Sequence, residues 1–366
     1  MVDITAKTYR LDTSVEEKDV LFYNIKKEPF RIYGLYSPQK NTPYIRLPEQ
    51  VANATNSGVA QLAFDTAGGR LRFSTDSPYI VIKAEMPKIR HFPHMPISGT
   101  SGFDIYLDSD GGSRFLRSKY PDVTATDGFE AVVHVASPKA PRKMRSFTIC
   151  FPSYNALNAL HIGLSETARV GKGKEYINKK PVVFYGSSIT QGACSSRPGL
   201  IYENMISRRY NLDYTNLGFS GSGRAEIPIV KYMASLDMLA FVSDYDHNAP
   251  NADYLRETHS RMYDIIRESH PDIPYIMVSR PDTLMSESFI ERRDVIIDTF
   301  RRARELGDTN VYYIDGEGLF RGPYEDCCTV DGTHPNDLGM MKMAEGIGRV
   351  LERALRKIDF RGEGNE

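Results

Sequence analysis

Four short polar segments carry the residues able to do chemistry in this 366-residue chain, and each stands beside an apolar run or opens a helix. The first is Gly186-Ser187-Ser188-Ile189-Thr190-Gln191-Gly192, directly after Pro181-Val182-Val183-Phe184-Tyr185. A serine among small residues at the end of a strand has a reachable hydroxyl. That hydroxyl is a poor nucleophile until a base takes its proton. Either serine would also cap a following helix, so Ser187 and Ser188 stand between a nucleophile and a helix cap. The second segment is Asn216-Leu217-Gly218-Phe219-Ser220-Gly221-Ser222-Gly223-Arg224. Its glycines let backbone amides approach a ligand or an oxyanion closely, and they suit a plain turn equally well. Their spacing is not the Gly-x-Gly-x-x-Gly of a dinucleotide-binding turn.

The third segment, Ser243-Asp244-Tyr245-Asp246-His247-Asn248-Ala249-Pro250, also follows an apolar run. Asn248 can supply a side-chain N–H, while Asp246 and His247 read as metal ligands or as loop residues. The metal reading has little beside it, since Asp331-x-x-His334 is the only other cluster with ligand spacing. The fourth segment is Asp331-Gly332-Thr333-His334-Pro335-Asn336-Asp337. Asn336 or Asp337 would cap the last helix. An Asp three residues before a His in a tight loop can accept from one ring nitrogen and leave the other free as a base. Of the eight histidines, only His247 and His334 sit in such contexts. His91, His94, His134, His161, His259 and His270 read as surface or packing residues.

The elements that must position these segments fall into two rhythms. Up to about residue 170 the chain reads as short strands: Gln61-Leu62-Ala63-Phe64, Arg70–Ser74, Tyr79–Ala84, Ala131–Val135 and Phe147–Phe151. Turn signals such as Ala67-Gly68-Gly69 and Asp108-Ser109-Asp110-Gly111-Gly112 separate them, without a long amphipathic helix between. That pattern predicts antiparallel sheets in a β-sandwich or jelly roll. Beyond Lys172-Gly173-Lys174-Glu175, apolar strands over 181–186, 238–242, 275–279 and 311–314 alternate with amphipathic helices over 251–269, 286–306 and 337–358. Alternation of that kind predicts a parallel sheet covered on both faces, with the site at the carboxyl ends of its strands. The expected domains are 1–175 (β-sandwich) and 176–360 (three-layer α/β/α). The tail Arg361-Gly362-Glu363-Gly364-Asn365-Glu366 reads as disordered.

Forty-six basic against forty-seven acidic side chains leave no field to gather nucleic acid or an anionic membrane, so neither partner is expected. No apolar stretch approaches the ~20 residues that span a bilayer. Met1–Thr5 shows no secretory signal, which reads as a cytoplasmic chain or one exported with its signal removed. Cys150, Cys194, Cys327 and Cys328 are too few for a disulfide framework and are read as thiols. A link from Cys194 to Cys327 or Cys328 is the alternative.

The order of the four segments resembles the SGNH/GDSL hydrolase superfamily over roughly residues 180–355. Gly186-x-Ser188 with Gly192 resembles its first block, Asn216-x-Gly218-x-x-Gly221 its second, and Asp331-x-x-His334 its last. Upstream, Gly102-Phe103-Asp104-Ile105-Tyr106 is similar to the Gly-x-Asp-Leu-Tyr signature of a β domain preceding one subgroup of these hydrolases. The resemblance implies that Ser188 is the nucleophile, His334 the base and later the acid, and Asp331 the residue orienting His334. It implies an oxyanion hole from the backbone N–H groups of Ser188 and Gly221 and the side chain of Asn248. Two departures stand out. Ser187 replaces the usual Asp before the nucleophile, and the third block reads Asp246-His247-Asn248-Ala249 in place of Gly-x-Asn-Asp. Asp246 and His247 are then candidate substrate contacts.

The expected activity is hydrolysis of O-acyl esters, acetyl esters on a carbohydrate first, through an acyl-enzyme and without metal or organic cofactor. An acyltransferase using the same residues is the alternative, and a glycan-binding protein with an inactive hydrolase domain is the alternative from another class. The substrate is a glycan or small-molecule ester, and the oligomeric state is open.

Overall fold

The structure, a computed structural model, describes residues 7–358 except 138, 283 and 285. The tail from Arg361 lies outside the described residues. By contact the chain divides into two compact units. One holds the residues up to Arg46, Phe64–Glu175 and Ser196–Gly199, and the other holds Leu47–Ala63, Tyr176–Ser195 and Leu200 onward.

The first unit is an antiparallel β-sandwich. One sheet runs in the order Thr8–Tyr9, Val20–Asn24, Ala159–Ser165, Tyr79–Glu85, Gly128–His134. The other runs Val170–Gly171, Arg70–Thr75, Arg145–Cys150, Phe103–Ser109, Gly112–Lys119, with Arg31–Tyr33 also paired to Arg70–Thr75. Alternation along the strands builds the core. Ile80, Ile82 and Ala84 join Leu71, Phe73, Phe147 and Ile149 in the main cluster, while Tyr79 and Val81 pack with Val20 and Phe22 in a smaller one.

The Gly-x-Asp-x-Tyr segment occupies one strand of this sandwich, and its Asp104 side chain is fully buried. A buried carboxylate needs partners. Arg197 Nη1 donates to Asp104 Oδ2 at 2.6 Å and to the Tyr106 hydroxyl at 3.0 Å, and the Gly199 amide donates to the same Oδ2 at 3.0 Å. The Arg197 guanidinium also lies 3.7 Å from the centre of the Phe115 ring. The signature therefore anchors Ser196–Gly199, a segment some ninety residues downstream of it.

The second unit carries a parallel sheet in the order Tyr214–Gly218, Val182–Gly186, Ala240–Asp244, Tyr275–Val278, Val311–Ile314. On one face, Tyr202 and Ile206 of helix Tyr202–Tyr210 and Met340, Met343, Ile347 and Leu351 of helix Asp337–Lys357 share a cluster with Val182, Phe184, Val242 and Ile276. On the other face, helices Ile227–Ala234, Ala252–Ser269 and Glu287–Glu305 pack in a row, and Tyr263 meets Tyr275 edge to face at 5.3 Å. This is a three-layer α/β/α domain. No helix among the described residues is long and apolar enough to cross a membrane.

One strand expectation is corrected. Gln61–Phe64 is not a strand but the end of helix Ser57–Leu62 and the turn after it. The reason is local: the Asn56 carboxamide oxygen accepts from the Val59 amide at 2.8 Å, which starts a helix where apolar content alone suggested β structure. Asn56 also reaches forward. Its Nδ2 donates to the Ser222 carbonyl at 3.0 Å and to Glu226 Oε1 at 2.7 Å, so Leu47–Ala63 supports the glycine loop of the second unit.

Candidate active site

Strand Val182–Gly186 is buried along its length and delivers the chain to the site. Gly186 is required at its end because a Cβ there would collide with the Thr190 side chain and the Asp244 carbonyl. The two serines then differ in their partners. Ser187 is the cap of helix Ser188–Gln191, its hydroxyl accepting from the Ile189 amide at 3.2 Å. Ser188, only 8% exposed, makes a 2.9 Å hydrogen bond between its Oγ and His334 Nε2.

His334 comes from the loop before helix Asp337–Lys357, which Asn336 caps by accepting from the Leu338 and Gly339 amides. Its Nδ1 lies 2.7 Å from Asp331 Oδ2. The other carboxylate oxygen accepts from the His334 amide at 2.8 Å and the Thr333 amide at 3.0 Å. Desolvation works to raise the Asp331 pKa, but the His334 and Thr333 hydrogen bonds outweigh it and hold the carboxyl at about 2. A permanent anion thus faces Nδ1, which keeps a proton there and leaves Nε2 to accept from Ser188. A hydroxyl, an imidazole and a carboxylate in this sequence of contacts can generate a serine alkoxide equivalent on demand.

The glycine loop is tied to the serine helix. The Phe219 amide donates to the Gly186 carbonyl at 3.0 Å, and the Ser220 amide to Gln191 Oε1 at 2.9 Å. Gly221 adopts φ +64°, the left-handed region, with open space where a Cβ would project. Asn248 sits on a short 3₁₀ turn, and its Nδ2 donates to the Phe219 carbonyl at 2.9 Å. The carboxamide carries a second N–H beyond that bond, and an ideal Cβ on Gly223 would lie 3.6 Å from the same nitrogen. Gly186, the glycine loop and Asn248 are therefore one connected patch.

Around Asn248 the polar cluster sorts itself by partner. Asp244 is buried at the end of its strand beside Thr190, and desolvation, then the charge of Asp246, push its pKa well up. Asp246 is buried, and its Oδ2 accepts from the Arg280 amide at 3.0 Å. Burial raises its pKa to about 6 against the pull of Arg280 and Arg292. His247 is held neutral by burial and then by Arg280, His334 and Arg292, which push its pKa well down, and its Nε2 is buried with no hydrogen-bond partner among the described residues. Cys194, two residues past Gly192, is no rival nucleophile. Burial and then the Asp331 charge push its thiol up to about 12. All four cysteines are free thiols.

Of the residues singled out from sequence, Ser188, His334 and Asp331 share one chain of hydrogen bonds, and Asn248 joins the glycine loop. Asp246 bonds the Arg280 amide. Asn56, Gln191, Arg280 and Arg292 also shape the site, and no motif marks them, because each lies in an ordinary polar or helical context.

Among curated proteins none matches the chain. Residues 179–352 match the family described as GDSL-like lipase/acylhydrolase, and residues 20–170 match the N-terminal Gly-x-Asp-Leu-Tyr domain of SGNH-hydrolase-type esterases. The chain is similar to a protein from Bacteroides ovatus described as a GDSL-like lipase, with 27% identity, TM-score 0.81, and 92% of this chain and 98% of that one covered. A salicylyl-acyltransferase from a tetracycline biosynthetic pathway shares the fold at 21% identity and TM-score 0.75, covering 93% and 98% of the two chains. An acetyl xylan esterase from Butyrivibrio proteoclasticus shares it at 12% identity and TM-score 0.54, covering 90% and 96%. With both halves matched, the chain belongs to the SGNH/GDSL hydrolase superfamily, in the subgroup that carries an N-terminal Gly-x-Asp-Leu-Tyr β domain, and is a carboxylic ester hydrolase.

Proposed function

We propose that Ser188, His334 and Asp331 are the catalytic triad of a serine esterase that removes O-acetyl groups from carbohydrate. The observation that carries this reading is the unbroken contact from Ser188 Oγ through His334, 2.9 Å on one side and 2.7 Å on the other, to an anionic Asp331. His334 Nε2 takes the hydroxyl proton as the Ser188 Oγ–acyl carbon bond forms. The carbonyl oxygen, now an anion, is held by the amides of Ser188 and Gly221 and by the second N–H of Asn248. Collapse breaks the ester C–O bond, and the proton on His334 passes to the departing sugar oxygen, which leaves as a hydroxyl. Water then attacks the acyl-enzyme by the same route, releasing acetate and restoring Ser188.

Carbohydrate is favoured as the alcohol because an acetyl xylan esterase stands among the proteins of the same fold. His247, neutral and with Nε2 lacking a partner among the described residues, is suited to bind a sugar hydroxyl beside His334. The test combines a fluorophosphonate probe with a panel of acetylated sugars. Wild type should label and release acetate, and Ser188→Ala should do neither. Equal labelling of Ser188→Ala would remove Ser188 as nucleophile. Acetyl groups transferred to added alcohols instead of water would make the protein a transferase, and an inert panel would overturn the acetyl-sugar reading alone.

A further inference from the structure

We infer that Arg292 is a positioning residue for the oxyanion donor, acting through the backbone on either side of Asn248. The inference rests on the reading of Asn248 proposed above and extends it to a residue on a separate helix.

Arg292 lies in the second turn of helix Glu287–Glu305, which Ser286 caps. Its guanidinium reaches out of the helix to the loop of the third polar segment. Nη1 donates to the Asp246 carbonyl and to the Ala249 carbonyl, both at 2.7 Å, and Nη2 donates to the Pro250 carbonyl at 3.3 Å. Nε is steadied by the Ser288 hydroxyl at 3.4 Å, one turn back. Arg292 is half-buried, and these contacts are with three carbonyls and one hydroxyl. Those carbonyls belong to a single 3₁₀ turn, Asp246–Asn248, and to the two residues after it, where no helical continuation satisfies them.

The geometry gives the contact its purpose. The Asp246 and Ala249 carbonyls bracket Asn248, so one guanidinium nitrogen fixes the backbone on both sides of the donor. In addition, the Asp246 carboxylate accepts from the Arg280 amide at 3.0 Å, and the Asn248 amide closes on the Tyr245 carbonyl at 2.9 Å. The turn is thus clamped at each end, and the Asn248 side chain has one remaining freedom, rotation about its own bonds. The 2.9 Å bond from Nδ2 to the Phe219 carbonyl removes it. A planar fork suits this clamp, because the two N–H groups on one nitrogen can serve two carbonyls, whereas a lysine ammonium offers a mobile point charge. Loss of the fork leaves the turn folded but frees Asn248 to wander from the developing oxyanion, where a displacement of about 1 Å costs up to ~100-fold in rate.

A double-mutant cycle tests this. Hydrolysis of p-nitrophenyl acetate is measured for wild type, Asn248→Ala, Arg292→Met and the double variant, with Arg292→Lys alongside and thermal unfolding followed for each. Arg292→Met should lower kcat by about 10–100-fold with KM nearly unchanged. Arg292→Lys should fall between it and wild type. In the Asn248→Ala background the same Arg292 change should cost under about 2-fold, because the group it aims is gone. An equal loss in both backgrounds would overturn the inference and leave the oxyanion reading standing. An unchanged kcat in Asn248→Ala would overturn both. If Arg292→Met lacks a cooperative unfolding transition, the cycle is read with Arg292→Lys on the same criteria.

Discussion

Replacing Asp331 with asparagine separates two things that the loop does with one side chain. Asp331 Oδ1 holds the loop by accepting from the His334 and Thr333 amides at 2.8 and 3.0 Å, and Oδ2 faces His334 Nδ1 at 2.7 Å. An asparagine keeps a carbonyl for the two amides, which turns its NH2 toward the ring. A donor facing Nδ1 favours the tautomer with hydrogen on Nε2. That hydrogen points at Ser188 Oγ, so the base becomes a donor in the wrong place. The comparable change in a buried Ser-His-Asp triad costs ~10⁴ in kcat, about 5 kcal/mol of barrier. Here the Asp331 side chain is 38% exposed and that of His334 22%, so water can compete for Nδ1 and soften the penalty. The expected loss is between about 10² and 10⁴ in kcat, with KM changing little.

The assay is p-nitrophenyl acetate turnover beside the rate of fluorophosphonate labelling, since both require the same proton transfer. Stability gives an independent arm. The Asp331 carboxyl lies at about 2 in the folded protein against an ordinary 3.8, so its folded value is depressed. Its contribution to stability is therefore present above pH 3.8 and is lost as pH falls toward 2. Urea midpoints taken from pH 5 down to 3 should fall more steeply in wild type than in Asp331→Asn. Retention of turnover within about 3-fold of wild type would refute the orienting role, whatever the stability curves show.

Two further changes probe the supporting structure. Asp104→Asn leaves Arg197 facing a neutral amide in a fully buried position, and removal of one partner of a buried pair typically costs about 3–5 kcal/mol; a denaturant midpoint equal to that of wild type would show that the anchor carries no energy. Asp246→Asn should act in the opposite sense. Its folded pKa of about 6 is raised above the ordinary 3.8, so wild type loses stability as pH rises through that window, by at most about 3 kcal/mol. The asparagine keeps the acceptor for the Arg280 amide, and the cations facing it, Arg280 and Arg292, are unchanged in the variant, while the Asp246 charge that pushes the Asp244 pKa up is removed with it. Asp246→Asn should therefore gain on wild type between pH 4 and 7 in unfolding experiments, and a constant gap across that range would count against a buried, half-protonated carboxyl.

What was legible in the sequence follows the reach of the forces involved. The two architectures were legible because strand alternation and helix stripes are local periodicities, as in Tyr79–Ala84 and in Met340, Ala344, Ile347 and Leu351. The candidates Ser188 and Asn248 stood out because each closely follows a parallel strand, and Asp331-x-x-His334 because an Asp three residues before a His suits a shared hydrogen bond. Gln61–Phe64 misled because four apolar residues carry no period, and the deciding residue, Asn56, lies outside them. A cap bond at 2.8 Å outweighed composition.

The supporting contacts were illegible for a different reason. Arg292 sits in the charged run Glu291-Arg292-Arg293-Asp294, and in sequence it cannot be told from Arg293, whose Nη1 pairs with Glu317 Oε2 at 3.1 Å. What distinguishes the two is the direction each side chain leaves the helix, and that is set by packing against the sheet. The same holds for Asn56, which reads as an ordinary helix cap until folding brings it to Ser222 and Glu226. Residues that touch the reacting atoms are constrained in type by chemistry, and so leave a pattern. Residues that aim them need only the right length and hydrogen-bonding capacity at a point in space. Such residues become visible once the fold has chosen which parts of the chain are neighbours, and the double-mutant cycle on Arg292 and Asn248 measures one such neighbour relation directly.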